Sequence, residues 1–223
     1  MLLINENNEF KIYKDENIPK YKIELNESSV SLIDSIKNCK IIPGITIEDD
    51  YKSIYFKATS VKTLSEMKNF NNFDNNEILK FCYNMSLQLK YLILKENKCF
   101  INYEIDKIII VDNNKYFFLS NDNLMPLDPE SENKIYINKP FKKTIFVSPE
   151  LKNIYNIPIS LNYRTIYYSL GLVILYCLRQ NMNSLRDEIS NEDILNMIEG
   201  TKLYNLLKGV LEEDIENRRL IYL

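Results

Sequence analysis

The spacing of apolar residues along this chain changes from segment to segment, and each change predicts an element. From Glu9 to about Leu25 the segments EFKIYKD and KYKIEL alternate apolar and polar residues, the period of two that predicts half-buried strands. SSVSLIDSIKN then places Val30, Ile33 and Ile36 near one helical face, with Asn26 positioned as its cap. KIIPGITI and KSIYFKAT read as a strand, a turn and a strand, separated by Glu48, Asp49 and Asp50. A small sheet with one helix is predicted.

The texture changes at Thr63–Met67 and the Asn-rich FNNFDNN, after which Glu77 opens a long amphipathic helix with Ile78, Phe81, Cys82, Met85, Leu89 and Leu92 on its apolar face. Two strand-like runs follow, CFINYEI with KIIIV and then KYFFLS, joined by a turn at Asp112, Asn113 and Asn114. LMPLDPESENK, with two prolines and several charges, reads as an exposed loop. KTIFVSPEL leads into the stretch Tyr163–Leu178, which from Ile166 onward is apolar on every side. A helix made of it has no wet face and belongs inside a globular domain. Its apolar run falls short of the ~20 residues that span a bilayer. Gly171 costs such a helix about 1 kcal/mol against Ala, so it marks either a close approach by another element or a tolerated defect. A polar stretch, NMNSLRDE, and two further helical patterns ending at ENRRLIYL complete the chain.

Composition narrows the chemistry. The 223 residues suffice for one domain of two lobes or two small domains. Lys and Arg number 28 against 31 acidic residues, interspersed, which leaves no electrostatic footprint for nucleic acid or anionic lipid. The segment MLLINENNEF has neither the basic nor the long apolar region of a signal peptide, so a cytoplasmic protein is expected. Cys39, Cys82, Cys99 and Cys177 lie in apolar patterns and read as buried, reduced thiols. Histidine is absent, which excludes Ser/His and Cys/His catalysis and zinc-histidine sites. With glycine only at 44, 171, 200 and 209, no glycine-rich phosphate loop can be written. Abundant Asn, Lys and Ile suit an AT-rich genome, such as that of a large DNA virus, in which case the host cytoplasm is the expected location.

Taken in order, these segments resemble the protein kinase fold. Ser148, Pro149 and Glu150 match the Ala-Pro-Glu that closes the activation segment in that family. Tyr168, Ser169, Leu170 and Gly171 match its Tyr/Trp-Ser-Leu-Gly at the start of the buried helix, and Asp214–Arg218 match its Asp-Pro-x-x-Arg. The resemblance implies an α+β fold with a reduced N-lobe over residues 1–58, made of a small sheet plus one helix, and a mainly helical C-lobe over 59–223. It also implies a structural ion pair between Glu150 and Arg218.

The same resemblance tests the chemistry. Phosphoryl transfer needs an Asp that orients the hydroxyl and an Asp and an Asn that hold magnesium. Laid over CFINYEIDKIIIV, the catalytic-loop pattern puts Asn102 at the catalytic Asp and Lys107 at the metal-binding Asn. Ungapped spacing puts Ser120 at the Asp of Asp-Phe-Gly; a turn longer by two residues would put Asp122 there as a substitute metal ligand. Ser29 stands at the helix glutamate, Ile166 replaces the aspartate that opens the buried helix, and Lys20 or Lys22 would serve as the nucleotide lysine. The implied nucleotide contacts are Lys22, Lys57 and Ala58, within a hinge at Lys57–Ser60.

These departures imply a pseudokinase, a catalytically inactive kinase-like domain whose partner is another protein, with no cofactor expected. One alternative is an atypical kinase that recruits Glu104, Asp106 or Asp122. Another is a module that binds nucleotide without transfer. Both alternatives would take ATP, and the first would take magnesium with it.

Overall fold

The computed structural model describes residues 1–67, 75–131, 133–182 and 190–220. Most of FNNFDNN and of NMNSLRDE, and the last three residues of ENRRLIYL, lie outside the described residues. Alternation builds the first part of the chain into an antiparallel sheet of β1 (Leu2–Glu6), β2 (Phe10–Lys14), β3 (Lys20–Leu25), β4 (Thr46–Ile47) and β5 (Ser53–Lys57), in the order β1-β2-β3-β5-β4. Phe10, Ile12, Tyr21, Ile23, Leu25, Ile54 and Phe56 are buried along one face, while Tyr13, Lys22 and Tyr55 stand in register on the other.

Two expectations shift here, and β1 is a strand that the alternation did not predict. β1 has no apolar alternation: Leu2 and Leu3 are 55% and 44% exposed, and backbone pairing with β2 holds the strand. The helix α1 (Val30–Asn38) starts one residue after Ser29, which is its N-cap; Asn26 instead donates to the Asn8 carbonyl. Leu32, Ile33 and Ile36 form its buried face, and Val30 is half exposed. KIIPGITI yields only the two-residue β4, because Lys40 and Gly44 adopt positive φ (53° and 65°) and turn the chain.

The remainder contains β6 (Val61–Thr63), a 3₁₀ turn at Leu64–Glu66, α2 (Asn75–Glu96), β7 (Lys98–Phe100), β8 (Ile108–Val111), β9 (Lys115–Phe118), β10 (Leu124–Pro126) and β11 (Lys134–Ile137). It ends with α3 (Pro149–Lys152), β12 (Ile159–Asn162), α4 (Thr165–Met182), α5 (Asn191–Met197) and α6 (Lys202–Val210). All six residues expected on the apolar face of α2 are buried. The turn from β8 to β9 sits at Asp112 and Asn113, both at positive φ. Within CFINYEI only Cys99 and Phe100 are strand; Ile101 N–H still reaches the Asn123 carbonyl across from β7, but Tyr103 N–H turns to the Asn102 side chain and the backbone leaves the ladder. LMPLDPESENK is not all loop. Its start pairs with β7 with Met125 buried, and Pro126, which has no N–H to give, ends the strand.

No residue from Tyr163 to Gln180 is exposed, as the all-round apolar character of this stretch demands. Helices α2, α5 and α6 pack against α4. A Cβ on Gly171 would lie 2.8 Å from Val210 Cγ2 and from Leu211 Cδ2, so this glycine marks a close approach by the end of α6. The buried residues of the sheet and of the helical part form one continuous core. The architecture is mixed α+β with an antiparallel N-terminal sheet, and no helix among the described residues is long and apolar enough to cross a membrane.

Candidate functional site

Two asparagines shape the turn between β1 and β2. Asn7 Oδ1 accepts from the backbone N–H groups of Glu9 (2.8 Å) and Phe10 (3.0 Å), and Asn26 N–H donates to the Glu9 carbonyl (2.8 Å). With its backbone held on both sides, Glu9 points away from the sheet and meets the β7–β8 connection and the segment after β9. Its Oε1 accepts from Lys107 Nζ (2.5 Å) and Ser120 Oγ (2.7 Å). Its Oε2 accepts from the backbone N–H groups of Asn121 (2.5 Å) and Asp122 (3.1 Å).

The lysine comes from a local turn. Lys107 N–H donates to the Glu104 carbonyl, and the side chains of this turn pair as well, Nζ to Oε1 at 2.6 Å. Glu104 Oε1 also accepts from Asn123 Nδ2 (2.9 Å), and its Oε2 accepts from Lys142 Nζ (2.9 Å). Burial alone would push the Glu104 carboxyl up, but the hydrogen bonds and charges of Lys107 and Lys142 outweigh it and hold the group below its ordinary value. Burial likewise disfavours the Lys107 ammonium, and its bonds to Glu104 and Glu9 reverse the effect and raise it. Two carboxylates and two ammonium groups thus balance, with Lys107 almost wholly buried.

Of the positions singled out in the sequence, Glu104, Lys107 and Ser120 meet at this cluster, and Asp122 contributes its backbone N–H. The Asp122 carboxylate is exposed, with Asn8 Nδ2 at 3.5 Å. Asn102 lies apart in role: its Nδ2 donates to the Lys142 carbonyl (2.8 Å), and its Oδ1 accepts from Tyr103 N–H (2.8 Å) and Thr144 Oγ1 (2.9 Å). Its amide ties the segment before Ser148 to the β7–β8 connection. Asp106 contributes its carbonyl, 3.5 Å from Asn7 Nδ2. Among the described residues no three His, Cys, Asp or Glu side chains converge as a metal-ligand group.

Lys22 does not join the cluster. On the outer face of β3 it pairs with Glu24 (2.7 Å) and stands over the rings of Tyr13 and Tyr55. Lys57 is exposed opposite Lys20, at the end of β5. Ala58 N–H donates to the Pro19 carbonyl (3.0 Å). Thr59 and Ser60 N–H both donate to Asp112 Oδ1 (2.7 and 3.2 Å), and Tyr21 Oη donates to the Thr59 carbonyl (3.3 Å). The backbone edge implied for an adenine ring is therefore bonded within the chain. Asp112, legible in the sequence only as a turn residue, clamps that edge.

The structural pair forms as a fork. Arg218 Nη2 donates to Glu150 Oε1 (2.6 Å) and Nη1 to Oε2 (3.0 Å), while Nε reaches the Glu212 carbonyl (2.7 Å). The guanidinium stands 4.8 Å from the centre of the Tyr168 ring. Ser148, the N-cap of α3, bonds to Thr165 through their hydroxyls, and Pro149 occupies the first turn of that helix. Ser169 is buried, and its hydroxyl has no partner among the described residues. Ile166 is fully buried at the start of α4, and Ser29 occupies the N-cap position of α1.

Sequence reasoning missed Glu9 and Gln88. Glu9 is one of 31 acidic residues, without a local motif. Gln88 interrupts the apolar face of α2, and only the fold shows that it bonds Ser35 of α1 and both backbone groups of Phe118 in β9. The arrangement around Lys107 can hold an oxyanion. Compared with models of known protein families and with curated proteins, the chain matches none.

Proposed function

We propose that this chain is a catalytically inactive, protein kinase-like domain that works by binding another protein. The observation that carries the reading is Lys107. The slot which the resemblance gives to the second metal ligand holds a buried ammonium group with two carboxylate partners. A divalent cation there would face an ammonium, and removing the proton from Lys107 would strand the charge of both glutamates. Asn102, in the slot of the catalytic Asp, is an amide whose Oδ1 is already bonded, so it cannot accept a proton from a substrate hydroxyl. The bonded backbone edge at Ala58–Ser60 further supports a domain that does not use nucleotide.

Ile145, Tyr155 and Ile157, which flank Ser148–Glu150 in sequence, are 75%, 86% and 40% exposed and are the first residues to alter in a search for the partner surface. The test of inactivity is a thermal melt of the full chain with ATP, with and without magnesium, beside a phosphotransfer assay. A ligand at 100 times its Kd adds about 2.7 kcal/mol, and each kcal/mol moves the midpoint by ~2–4 °C in a chain of this size. No shift and no transfer are expected. A magnesium-dependent rise would overturn the reading and return the atypical-kinase alternative.

A further inference from the structure

The cradle around Glu9 is built as an anion site. Four donors from two separate parts of the chain converge on one carboxylate: the Lys107 ammonium, and the Ser120 hydroxyl with the successive backbone N–H groups of Asn121 and Asp122. Successive N–H groups beside a cation form the kind of concavity that takes phosphate in other folds. Ser120 and Lys107 are almost wholly buried and held from behind: Asn123 Nδ2 bonds to Ser120 Oγ (3.0 Å), and Glu104 bonds to Lys107. Glu9 comes from the other side, on the β1–β2 turn that Asn7 and Asn26 shape. Beside it a crevice of about 80 Å³, lined by Asn8, Glu9, Asn26, Glu27, Asn121 and Asp122, opens toward solvent.

We propose that this cradle is a phosphate-type oxyanion site that the chain fills with its own Glu9, so that Glu9 acts as an intramolecular stopper. The donors match a carboxylate or two oxygens of a phosphoryl group equally well. Tethering sets the choice, because a carboxylate on a held turn is present at a far higher effective concentration than any free anion. Removing the Glu9 side chain opens a space continuous with the crevice and leaves Lys107 with Glu104 as its carboxylate partner among the described residues. The inference does not depend on the kinase reading, since it rests on the donors alone.

The experiment compares the full-length Glu9→Ala protein with wild type in thermal melts over a millimolar titration of inorganic phosphate, with chloride at matched ionic strength. Wild type reports the general salt effect. In Glu9→Ala the midpoint starts lower and rises saturably with phosphate by about 5 °C or more beyond the wild-type response. Adding Lys107→Met removes that rise. An equal phosphate response in Glu9→Ala and wild type, or a rise that survives Lys107→Met, overturns the proposal. If Glu9→Ala does not fold in chloride, recovery of the folded protein in phosphate supports the site and failure in both salts sinks it. Because no ATP or magnesium is present, the outcome is separate from the test of inactivity.

Discussion

Arg218 presents its guanidinium to a carboxylate, two backbone carbonyls and an aromatic face, with no exposure of its side chain. A buried guanidinium needs a charged partner, so the carboxylate decides whether the burial is tolerable. Glu150→Ala should cost roughly 3–5 kcal/mol, a fall of ~6–20 °C in the midpoint. The double variant with Arg218→Met should cost well under the sum of the two single changes, because the stranded charge is removed along with its partner. Additive costs in a thermal-melt cycle would show the two residues to be uncoupled. At this same scale the sequence was least informative. Glu150 and Arg218 could be paired through motifs standing 68 residues apart, whereas Glu9 belongs to no motif and becomes visible as the partner of Lys107 only when the β1–β2 turn meets the β7–β8 connection.

For the elements, legibility followed how much of each one is decided locally. Alternation in β2 and β3, the apolar stripe of α2 and the all-round apolar α4 were readable because burial of a face imprints a period. β1 and β10 were not, since backbone pairing holds them without apolar alternation. Gly171 shows where an element-scale property becomes a packing property. In isolation Gly171→Ala should strengthen a helix by about 1 kcal/mol. In the fold the added methyl would meet Val210 and Leu211 at 2.8 Å, and overpacking of this kind costs about 1–3 kcal/mol. The expected result is a net destabilisation read as a lower unfolding midpoint. A rise would mean that α6 can move away from α4 at no cost.

Across the whole molecule, charge balance predicts how stability depends on pH. Glu104 and Glu150 both lie below their ordinary value in the folded chain: burial pushes each up, and Lys107 with Lys142, or Arg218, more than reverses it. A depressed carboxyl gives stability that is present above its unfolded value, near ~4.3, and is lost as the pH falls through the folded value. Burial pushes the thiols upward, Cys39 to about 11 and Cys99 well above the ordinary range, while the partners of Lys107 raise its ammonium despite burial. Raised groups give stability that is full below the unfolded value and is lost as the pH rises, from ~8.5 for the thiols and ~10.4 for the lysine. With no histidine in the chain, no side chain has its ordinary titration between these limits. Melts under reducing conditions should therefore give a midpoint that is level from about pH 5.5 to 8 and falls on both sides. A steep change between pH 6 and 7.5 would contradict this account.

By itself the sequence determined the mixed α+β class, the buried α4 and the faces of β2, β3 and α2, because these follow from periodic burial over neighbouring residues. Exclusions of chemistry followed equally directly, from the absence of histidine and the scarcity of glycine. Only the tertiary structure decided that Glu9 fills the cradle at Lys107, that Asp112 clamps the backbone at Thr59 and Ser60, and that Gly171 yields to Val210 and Leu211. Each of those contacts joins residues far apart in the chain, the first two through a single side chain and the third through the lack of one. One residue leaves no period in a sequence, and its partner is chosen by where the fold brings the backbone together.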